Sequence, residues 1–302
     1  MDFSDFSSRD IKLGFIGLGL IGGSLAKAFR ESIPHSTIVA FNRREEPRKK
    51  AYEDGTADIV TGEIDHNFAD CDYIFLCTPV EFNAMYLKKL KSIIGKNCII
   101  TDAGSTKSNI HEAVIKEGLE ANFIGGHPMA GSEKTGYEFS NAWLFKNAYY
   151  VITPTNKTNP ERLDEFKMMI KGIGAKSIVI EDYRVHDYVV AGISHLPHII
   201  AAELTNLVKA TDTEDNLMKK LAAGGFKDTT RIAASSPEMW QQICMTNTEN
   251  ISNLLDKYIA QLIEASERIK RGDGQYIYDM FTNSREYRNQ FGNKLSGNPN
   301  DL

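Results

Sequence analysis

A glycine-rich turn near the amino terminus restricts the fold of this chain more than any other feature. The apolar run Ile11–Gly17 reads as a strand, continues into Gly-Leu-Gly-Leu-Ile-Gly at 17–22, and is followed by a helical pattern. A GxGxxG sequence between a strand and a helix is typical of a dinucleotide-binding βαβ unit, because its glycines permit the tight turn and the close approach of a pyrophosphate. The candidate cofactor-binding residues of this turn are Gly17, Gly19, Leu20, Ile21 and Gly22.

The rest of the first 180 residues alternates short β-branched runs with longer amphipathic segments. The predicted strands are Thr37–Phe41, Asp72–Cys77, Asn97–Asp102, Asn122–Gly126, Ala148–Thr153 and Ala175–Ile180. Helices are predicted at Leu20–Arg30, Phe82–Ile94, Lys107–Lys116 and Pro160–Ile173. This alternation predicts an α/β fold, a Rossmann-like parallel sheet covered by helices on both faces.

Strand patterns end after Glu181. Apolar residues then recur at helical spacing through Tyr188–Leu207, Ile232–Cys244 and Ile251–Ile269. We therefore predict two domains, a dinucleotide-binding domain over 1–181 and an all-α domain over 182–302.

Composition excludes several classes of function. The net charge of −5 gives no reason to expect a nucleic-acid partner. No stretch approaches the roughly 20 apolar residues of a membrane-spanning helix, and the mostly polar first ten residues carry no apolar run of signal-peptide length. The four cysteines form no CxxC pair, and Cys77 and Cys98 lie in apolar runs where a thiol packs as a small hydrophobic group. These features predict a cytoplasmic protein.

The end of the second predicted strand bears on the choice of cofactor. An acidic residue there would bond the ribose 2′-hydroxyl of NAD, but the chain has Asn42-Arg43-Arg44. Two guanidiniums suit a 2′-phosphate, so NADP is favoured over NAD. The alternative is that both arginines are solvated charges at a helix start. Thr78 and Pro79, directly after the strand Asp72–Cys77, are further candidates for cofactor contact.

Two loops follow strands at what should be the same edge of the sheet. One is Asp102–Lys107, and the other contains His127 between two glycines and a proline. Ligands of open α/β sheets bind at the carboxyl ends of the strands, and an imidazole there can accept a proton from an alcohol while hydride leaves. Ser105 or Ser132 could orient that imidazole. The alternative is a histidine that only caps a loop.

The helical part contributes three more candidates. His195 and His198 are three residues apart, hence on one helix face, but no other ligand lies at metal-binding spacing and we predict no metal site. Arg231, after a glycine pair that should end a helix, could clamp a carboxylate or could be bonded to Asp228 instead. Trp240 lies in an apolar run and is expected in the core.

Taken together, these segments resemble the prephenate and arogenate dehydrogenase family. The resemblance rests on GLGLIGGSLA at 17–26, DAGSTK at 102–107, GGHPMAGSE at 125–133, SHLPH at 194–198 and GGFKDTTRIAASSPEMW at 224–240. It implies oxidative decarboxylation of prephenate to 4-hydroxyphenylpyruvate with hydride transfer to NAD(P), in tyrosine biosynthesis, by a homodimer. In that family the helical domain, here 182–302, would bind substrate and form the dimer.

The resemblance also implies roles for individual residues. His127 would assist oxidation of the ring hydroxyl, with Ser105 contacting both, and Arg231 would bind a substrate carboxylate. The remaining candidates for the substrate pocket are His198, His195, Ser132 and Asp228. We also expect a monofunctional enzyme, since no stretch has the length of an added regulatory or mutase domain.

Three alternatives stay open. Arogenate differs from prephenate only in its amino acid side chain, and the retained His198 favours prephenate. A β-hydroxyacid dehydrogenase would use a lysine as general base where this chain has SHLPH. A non-catalytic NADP sensor would need neither His127 nor Arg231.

Overall fold

The computed structural model describes residues 8–132 and 134–291. The chain divides into two compact units, Met1–Ile251 and Ser252–Leu302. The first unit carries the sheet and all the candidate site residues. The predicted domain boundary between 181 and 182 stays a prediction.

The sheet has eight strands within the described residues, in the order β3-β2-β1-β4-β5-β6-β7-β8. The strands are β1 (Lys12–Ile16), β2 (Thr37–Phe41), β3 (Ile59–Thr61), β4 (Tyr73–Leu76), β5 (Ile99–Asp102), β6 (Phe123–Pro128), β7 (Tyr149–Pro154) and β8 (Lys176–Val179). Strands β1 to β6 are parallel, and their order 3-2-1-4-5-6 is that of a Rossmann fold. The predicted fold class is confirmed.

The helices that cover the sheet are α1 (Leu20–Ser32), α2 (Glu45–Glu53), α3 (Val80–Lys91), α4 (Ser108–Glu117) and α5 (Pro160–Gly172). Then follow α6 (Tyr183–Val190), a π-helical turn (Ala191–His195), α7 (Leu196–Thr211), α8 (Leu217–Leu221), α9 (Gly224–Thr230), α10 (Pro237–Thr246), α11 (Thr248–Lys270) and α12 (Gly274–Asn289). No helix in the described ranges combines the length and the apolarity needed to cross a membrane.

Each face of the sheet has its own apolar core, because successive strand residues point to opposite faces. Phe15 and Phe75 stack at a centroid distance of 5.1 Å on one face, where Phe29 of α1 and Phe166 of α5 join them. Ile16 belongs to the core on the other face, where residues of α3 and α4 pack. A sheet covered on both faces explains why its strands read as continuous apolar runs.

Three details differ from the sequence predictions. Strand β7 runs antiparallel to β6, and an apolar run does not encode strand direction. Helix α2 and strand β3 were not predicted, because α2 buries only Pro47 and Ala51 and β3 has three half-buried residues. The glycine pair at 224–225 begins α9 rather than ending a helix, so Arg231 lies after that helix, in a 3₁₀ turn.

Candidate active site

The turn between β1 and α1 has the geometry that its glycines predict. Gly17 has φ +104°, which L side chains rarely adopt. A Cβ on Gly22 would lie 2.0 Å from the carbonyl oxygen of Gly17, so only glycine fits there. A Cβ on Gly19 would meet no atom within 4 Å, which shows that this residue borders open space.

Helix α1 begins at this open side without a cap. Its N-cap residue, Gly19, makes no side-chain hydrogen bond, and the first turn contains no acidic residue. The N–H groups of Leu20 and Ile21 therefore belong to a helix end whose partial positive charge suits a phosphate. Thr78 lies on the neighbouring side, since its methyl group would be 2.9 Å from a Cβ on Gly17. These residues fit a dinucleotide pyrophosphate.

The residues after β2 close this part of the site. The Asn42 side chain accepts a hydrogen bond from the Leu18 N–H at 3.1 Å and donates to the Arg44 carbonyl at 3.2 Å. The guanidinium of Arg43 lies 5.1 Å from the ring centroid of Phe82. Arg43 and Arg44 are exposed, and no ion pair involves either of them in the part of the chain that the structure describes. Both guanidiniums are thus available to an anion.

His127 lies beyond the carboxyl end of its neighbouring strand. Thr101 of β5 is opposite Ile124 of β6, and β5 ends one residue later, at Asp102. His127 is three positions past Ile124, where it pairs with Val151 of the antiparallel β7. It therefore lies past the point where β5 ends and the loop that contains Ser105 begins, at the edge where parallel sheets bind ligands.

The imidazole of His127 is buried and is held from one side. Its residue is 9% exposed, and its Nδ1 is 2.8 Å from Nε2 of His186, a residue of α6. The two rings meet edge to face, at 71°. No hydrogen bond to Nε2 of His127 is formed within residues 8–132 and 134–291, so this nitrogen remains for a ligand.

His186 is bonded in turn to a carboxylate. Its Nδ1 is 2.8 Å from Oδ1 of the adjacent Asp187, and both residues are 1% exposed. The Asp187 carboxylate also accepts hydrogen bonds from the backbone N–H groups of Lys107, at 2.7 Å, and Ser108, at 2.8 Å. Asp187 thus binds the start of α4, where N–H groups lack partners within the helix.

A buried ion pair fixes the loop after β5. The ammonium of Lys107 contacts the carboxylate of Asp102, and neither side chain is exposed to solvent. The same ammonium donates to the carbonyl of Gly126 at 2.8 Å, while the Gly126 N–H donates to Asp102 at 3.1 Å. This network connects the loop of Ser105 to the strand of His127. Ser105 is half-buried and its hydroxyl makes no hydrogen bond within the described residues.

Burial and hydrogen bonds together determine the protonation of the three central groups. Burial lowers the pKa of His127 well below 6.5, and repulsion from His186, Lys107 and His195 adds to this effect. Burial likewise lowers the pKa of His186, although the hydrogen bond with Asp187 opposes it. Burial would raise the pKa of Asp187, but its hydrogen bonds with His186 and Ser108 outweigh this and lower it. At neutral pH the arrangement is two neutral imidazoles and one carboxylate.

Two histidines of the helical part, His195 and His198, contact Trp240. The ring of His198 stacks on the indole at 3.8 Å, and that of His195 lies edge-on at 5.9 Å. Trp240 is half-buried and forms a wall against both rings, where the sequence predicted a core position. Nδ1 of His195 is 3.2 Å from the amide nitrogen of Asn247, and burial lowers the pKa of His195 to about 4.

The remaining candidates are on the surface of the first unit. Arg231 is exposed. Burial lowers the pKa of His198, and the nearby positive charge of Arg231 adds to this effect. Asp228 is exposed and makes no ion pair with Arg231 in the described residues. The hydroxyl of Ser132 accepts a hydrogen bond from the Lys134 N–H at 3.2 Å. Glu133, the last residue of one motif, lies outside the described residues.

Sequence reasoning missed His186, Asp187 and Asn247. The first two were detectable in principle, because His186 and Asp187 lie four and three positions before the buried Val190 and so share a face of α6 with it. Polar residues on the buried face of a helix need partners, and so mark a site. Nothing local identifies the partner, since His127 and His186 are 59 residues apart.

Comparisons with known proteins bear on the chemistry of this site. The family model of the prephenate dehydrogenase nucleotide-binding domain matches residues 25–179, and that of the prephenate dehydrogenase dimerization domain matches residues 182–283. The prephenate dehydrogenase of Bacillus subtilis is 34% identical over 276 residues, which cover 90% of this chain and 74% of the relative. The chain belongs to the prephenate dehydrogenase family. The predicted family is therefore confirmed. The predicted enzyme class, an oxidoreductase that uses a nicotinamide cofactor, is confirmed as well.

Solved structures extend the likeness to three dimensions. A prephenate dehydrogenase from Aquifex aeolicus, in complex with hydroxyphenyl propionate and NAD⁺, has a TM-score of 0.87 and 31% identity. The match covers 94% of this chain and 99% of that one. An arogenate dehydrogenase from Synechocystis has a TM-score of 0.81 and 30% identity, and covers 93% of this chain and all of its own. The family fold thus accompanies both substrates among these relatives.

Proposed function

We propose that this member of the prephenate dehydrogenase family oxidises and decarboxylates prephenate to 4-hydroxyphenylpyruvate. The observation that carries the proposal is the available Nε2 of a buried, neutral His127 beyond the carboxyl edge of a Rossmann sheet. A neutral imidazole can accept a proton from the ring hydroxyl. The nicotinamide, when bound, supplies the acceptor for the hydride of the hydroxyl-bearing carbon. Loss of carbon dioxide from the ring then produces the aromatic product.

The cofactor side of the site suits NAD(P), and we propose NADP as the preferred form. Gly17, Gly19, Leu20, Ile21 and Gly22 would hold the pyrophosphate, with Thr78 and Pro79 beside them. Directly after β2, where a carboxylate would select a free ribose 2′-hydroxyl, the chain has Asn42 instead. The Asn42 side chain accepts a hydrogen bond from the Leu18 N–H and so supports the glycine-rich turn. The exposed guanidiniums of Arg43 and Arg44 would instead bind a 2′-phosphate.

The substrate side is assigned to residues of the loop and of the helical part. Ser105, in the loop after β5, would bond the ring hydroxyl and orient it. Arg231 would bind a carboxylate, and the stacked His198 and Trp240 would provide a flat wall for the substrate. His195, Ser132 and Asp228 complete the proposed pocket.

Arogenate is the second candidate substrate, because a relative with the same fold is an arogenate dehydrogenase. The two substrates differ in whether the side chain carries a keto or an ammonium group. The cationic Arg231 near His198 disfavours an additional ammonium group, which supports prephenate.

We also propose that the protein is a cytoplasmic homodimer. The second unit exposes large apolar side chains, which on a monomer would form an unusually extensive apolar surface. They are Ile259, Leu262, Ile263, Ile269, Tyr278, Phe281, Tyr287 and Phe291. The match to a dimerization-domain family supports a second copy of this chain as the partner. The replacement Phe281→Asp should shift the mass measured by light scattering from dimer to monomer, and an unchanged mass contradicts this interface.

The function is tested by an assay of purified protein. Formation of reduced cofactor is measured with prephenate and with arogenate, each combined with NAD or with NADP. His127→Asn should abolish turnover while cofactor binding persists, and the exposed His35→Asn serves as the matched control. Absence of turnover in all four combinations contradicts the proposed reaction. Faster turnover with NAD than with NADP contradicts the role of the two arginines.

A further inference from the structure

We infer that His186 and Asp187 are positioning residues that hold His127 in the single tautomer able to act as a base. This inference rests on the proposed function, because it concerns the same imidazole. Neither residue approaches the open nitrogen of His127. They act from the opposite side of the ring, through the chain of hydrogen bonds His127–His186–Asp187.

The direction of each hydrogen bond follows from the carboxylate. An ionised carboxylate can only accept, so Nδ1 of His186 carries the proton in the 2.8 Å bond to Asp187. A neutral imidazole has one proton, and Nε2 of His186 is therefore an acceptor. Nδ1 of His127, at 2.8 Å from that acceptor, must be the donor. The lone pair of His127 is then on Nε2, the nitrogen that no described residue binds.

The carboxylate that starts this chain is firmly placed. Asp187 accepts from the backbone N–H groups of Lys107 and Ser108 as well as from His186. Two backbone donors at the beginning of α4 favour the ionised form and fix both oxygens. The ammonium of Lys107 in turn binds Asp102 and the carbonyl of Gly126, next to His127 in the chain. The base is thus held through its side chain and its strand by one connected network.

The same residue specifies the opposite tautomer of His195. The main-chain carbonyl of Asp187 accepts from the amide nitrogen of Asn247 at 2.7 Å, which establishes the orientation of that amide. Since this nitrogen is a donor, Nδ1 of His195, at 3.2 Å, is the acceptor. His195 therefore carries its proton on Nε2. One imidazole of the site is prepared to accept a proton and the other to donate a hydrogen bond.

The first test reads the tautomers directly, in the protein without substrate. Selective ¹⁵N labelling of the seven histidines distinguishes a protonated from an unprotonated ring nitrogen by chemical shift. Signals of His127 and His186 are assigned by their loss in His127→Asn and His186→Asn. We expect both rings to be neutral and protonated at Nδ1 at pH 7. A His127 protonated at Nε2 overturns the inference, whether or not the protein turns over prephenate.

The second test uses two replacements of His186 that differ in which nitrogen they imitate. Gln can place an amide oxygen near the position of Nε2 and can still accept from His127, whereas Asn reaches only the position of Nδ1. We expect His186→Asn to lower kcat by about 10-fold or more, since proton transfer to a positioned base is worth 10²–10⁴-fold. His186→Gln should recover most of the loss. The KM for the cofactor should not change in either variant.

Outcomes of the second test separate positioning from a structural role. Equal kcat losses in the two variants, with unchanged melting temperature, overturn the inference. A parallel loss of cofactor binding also overturns it, because a disturbed fold would then explain the effect. His35→Asn, an exposed histidine of the first unit, is the matched control and should behave as the unaltered protein. If the unaltered protein has no activity, the proposed reaction fails, and the tautomer measurement still decides the inference.

Discussion

Removal of the buried ammonium of Lys107 should destabilise the protein strongly. In Lys107→Met the Asp102 carboxylate would keep its hydrogen bonds from the Gly104 and Gly126 N–H groups but would lose its only counter-charge among the described residues. Both side chains of the pair are fully buried. Loss of one partner of such a pair costs about 3–5 kcal/mol, because a charge remains in a medium of low polarity.

Part of this cost comes from a backbone carbonyl, that of Gly126, which loses its hydrogen-bond donor. The Gly126 carbonyl accepts from Lys107 at 2.8 Å, and a buried polar group without a partner costs about 1–3 kcal/mol. Because this backbone cost is included in the about 3–5 kcal/mol of the broken pair, the total does not exceed the stability of most proteins, about 5–15 kcal/mol, and the variant should still fold. Urea unfolding, followed by circular dichroism at one protein concentration, measures the loss. The added replacement Asp102→Asn should restore part of it, since the uncompensated charge is then gone.

An exposed ion pair provides the matched control. Lys91 is 3.4 Å from Glu117, with side chains 49% and 24% exposed. Such pairs contribute about 0–1 kcal/mol, so Lys91→Met should change the unfolding free energy little. A loss in Lys107→Met as small as that in Lys91→Met refutes the reasoning. It would mean that Asp102 does not depend on this ammonium for its burial.

Three further predictions concern the cofactor and pH. Gly22→Ala should weaken NADPH binding by more than about 10-fold in a fluorescence titration, because the new Cβ meets the Gly17 carbonyl at 2.0 Å. Replacement of Arg43 and Arg44 by Ala should raise the KM for NADP by about 10-fold or more and that for NAD by less than about 2-fold, since only NADP carries the 2′-phosphate. Burial lowers the pKa of His111 to about 3, so the unfolded chain binds its proton first as pH falls below 6.5, and the melting temperature should fall from pH 6.5 towards pH 4.

Each of these has a control and a contrary outcome. Gly274→Ala, where a Cβ meets nothing within 4 Å, should bind cofactor normally. Undiminished binding by Gly22→Ala would show that the turn is not the pyrophosphate site. Equal effects on both cofactors would remove the case for a 2′-phosphate site. His111→Gln should flatten the acid loss of stability by roughly 1.4 kcal/mol per pH unit, and an unchanged slope contradicts the assignment.

The strands of the sheet could be predicted from sequence because the apolar character of a buried strand is visible within a few consecutive residues. Strands buried on both faces are mostly apolar, and the runs at Ile38–Phe41 and Tyr73–Leu76 show this. Helix α2 could not be predicted in the same way. It buries only Pro47 and Ala51, so its sequence lacks a hydrophobic periodicity.

The candidate site likewise has features that local sequence predicts and features that depend on the folded protein. The glycines of the first turn and the placement of His127 near a strand end follow from local sequence, although β6 extends through His127 instead of ending at Gly126 as predicted. The partner of His127 does not, because α6 approaches β6 only in the folded protein, and His186 is 59 residues away. His186 and Asp187 are each 1% exposed, and polar residues buried to this extent need hydrogen-bond partners. Those partners define the network around His127.

The antiparallel strand β7 connects these observations. A parallel sheet alone would leave the end of β6 without a neighbour, since β5 stops at Asp102. Strand β7 continues the ladder, and pairs His127 with Val151 and Pro128 with Tyr150. The backbone of His127 therefore remains paired with a neighbouring strand on one side, beyond the end of β5 and at the ligand edge of the sheet. Catalytic groups gain most from such placement on regular structure, because a proton must be transferred over a hydrogen-bond distance. Strand β7, whose direction local sequence did not encode, thus keeps His127 in regular structure at a position beyond the end of β5.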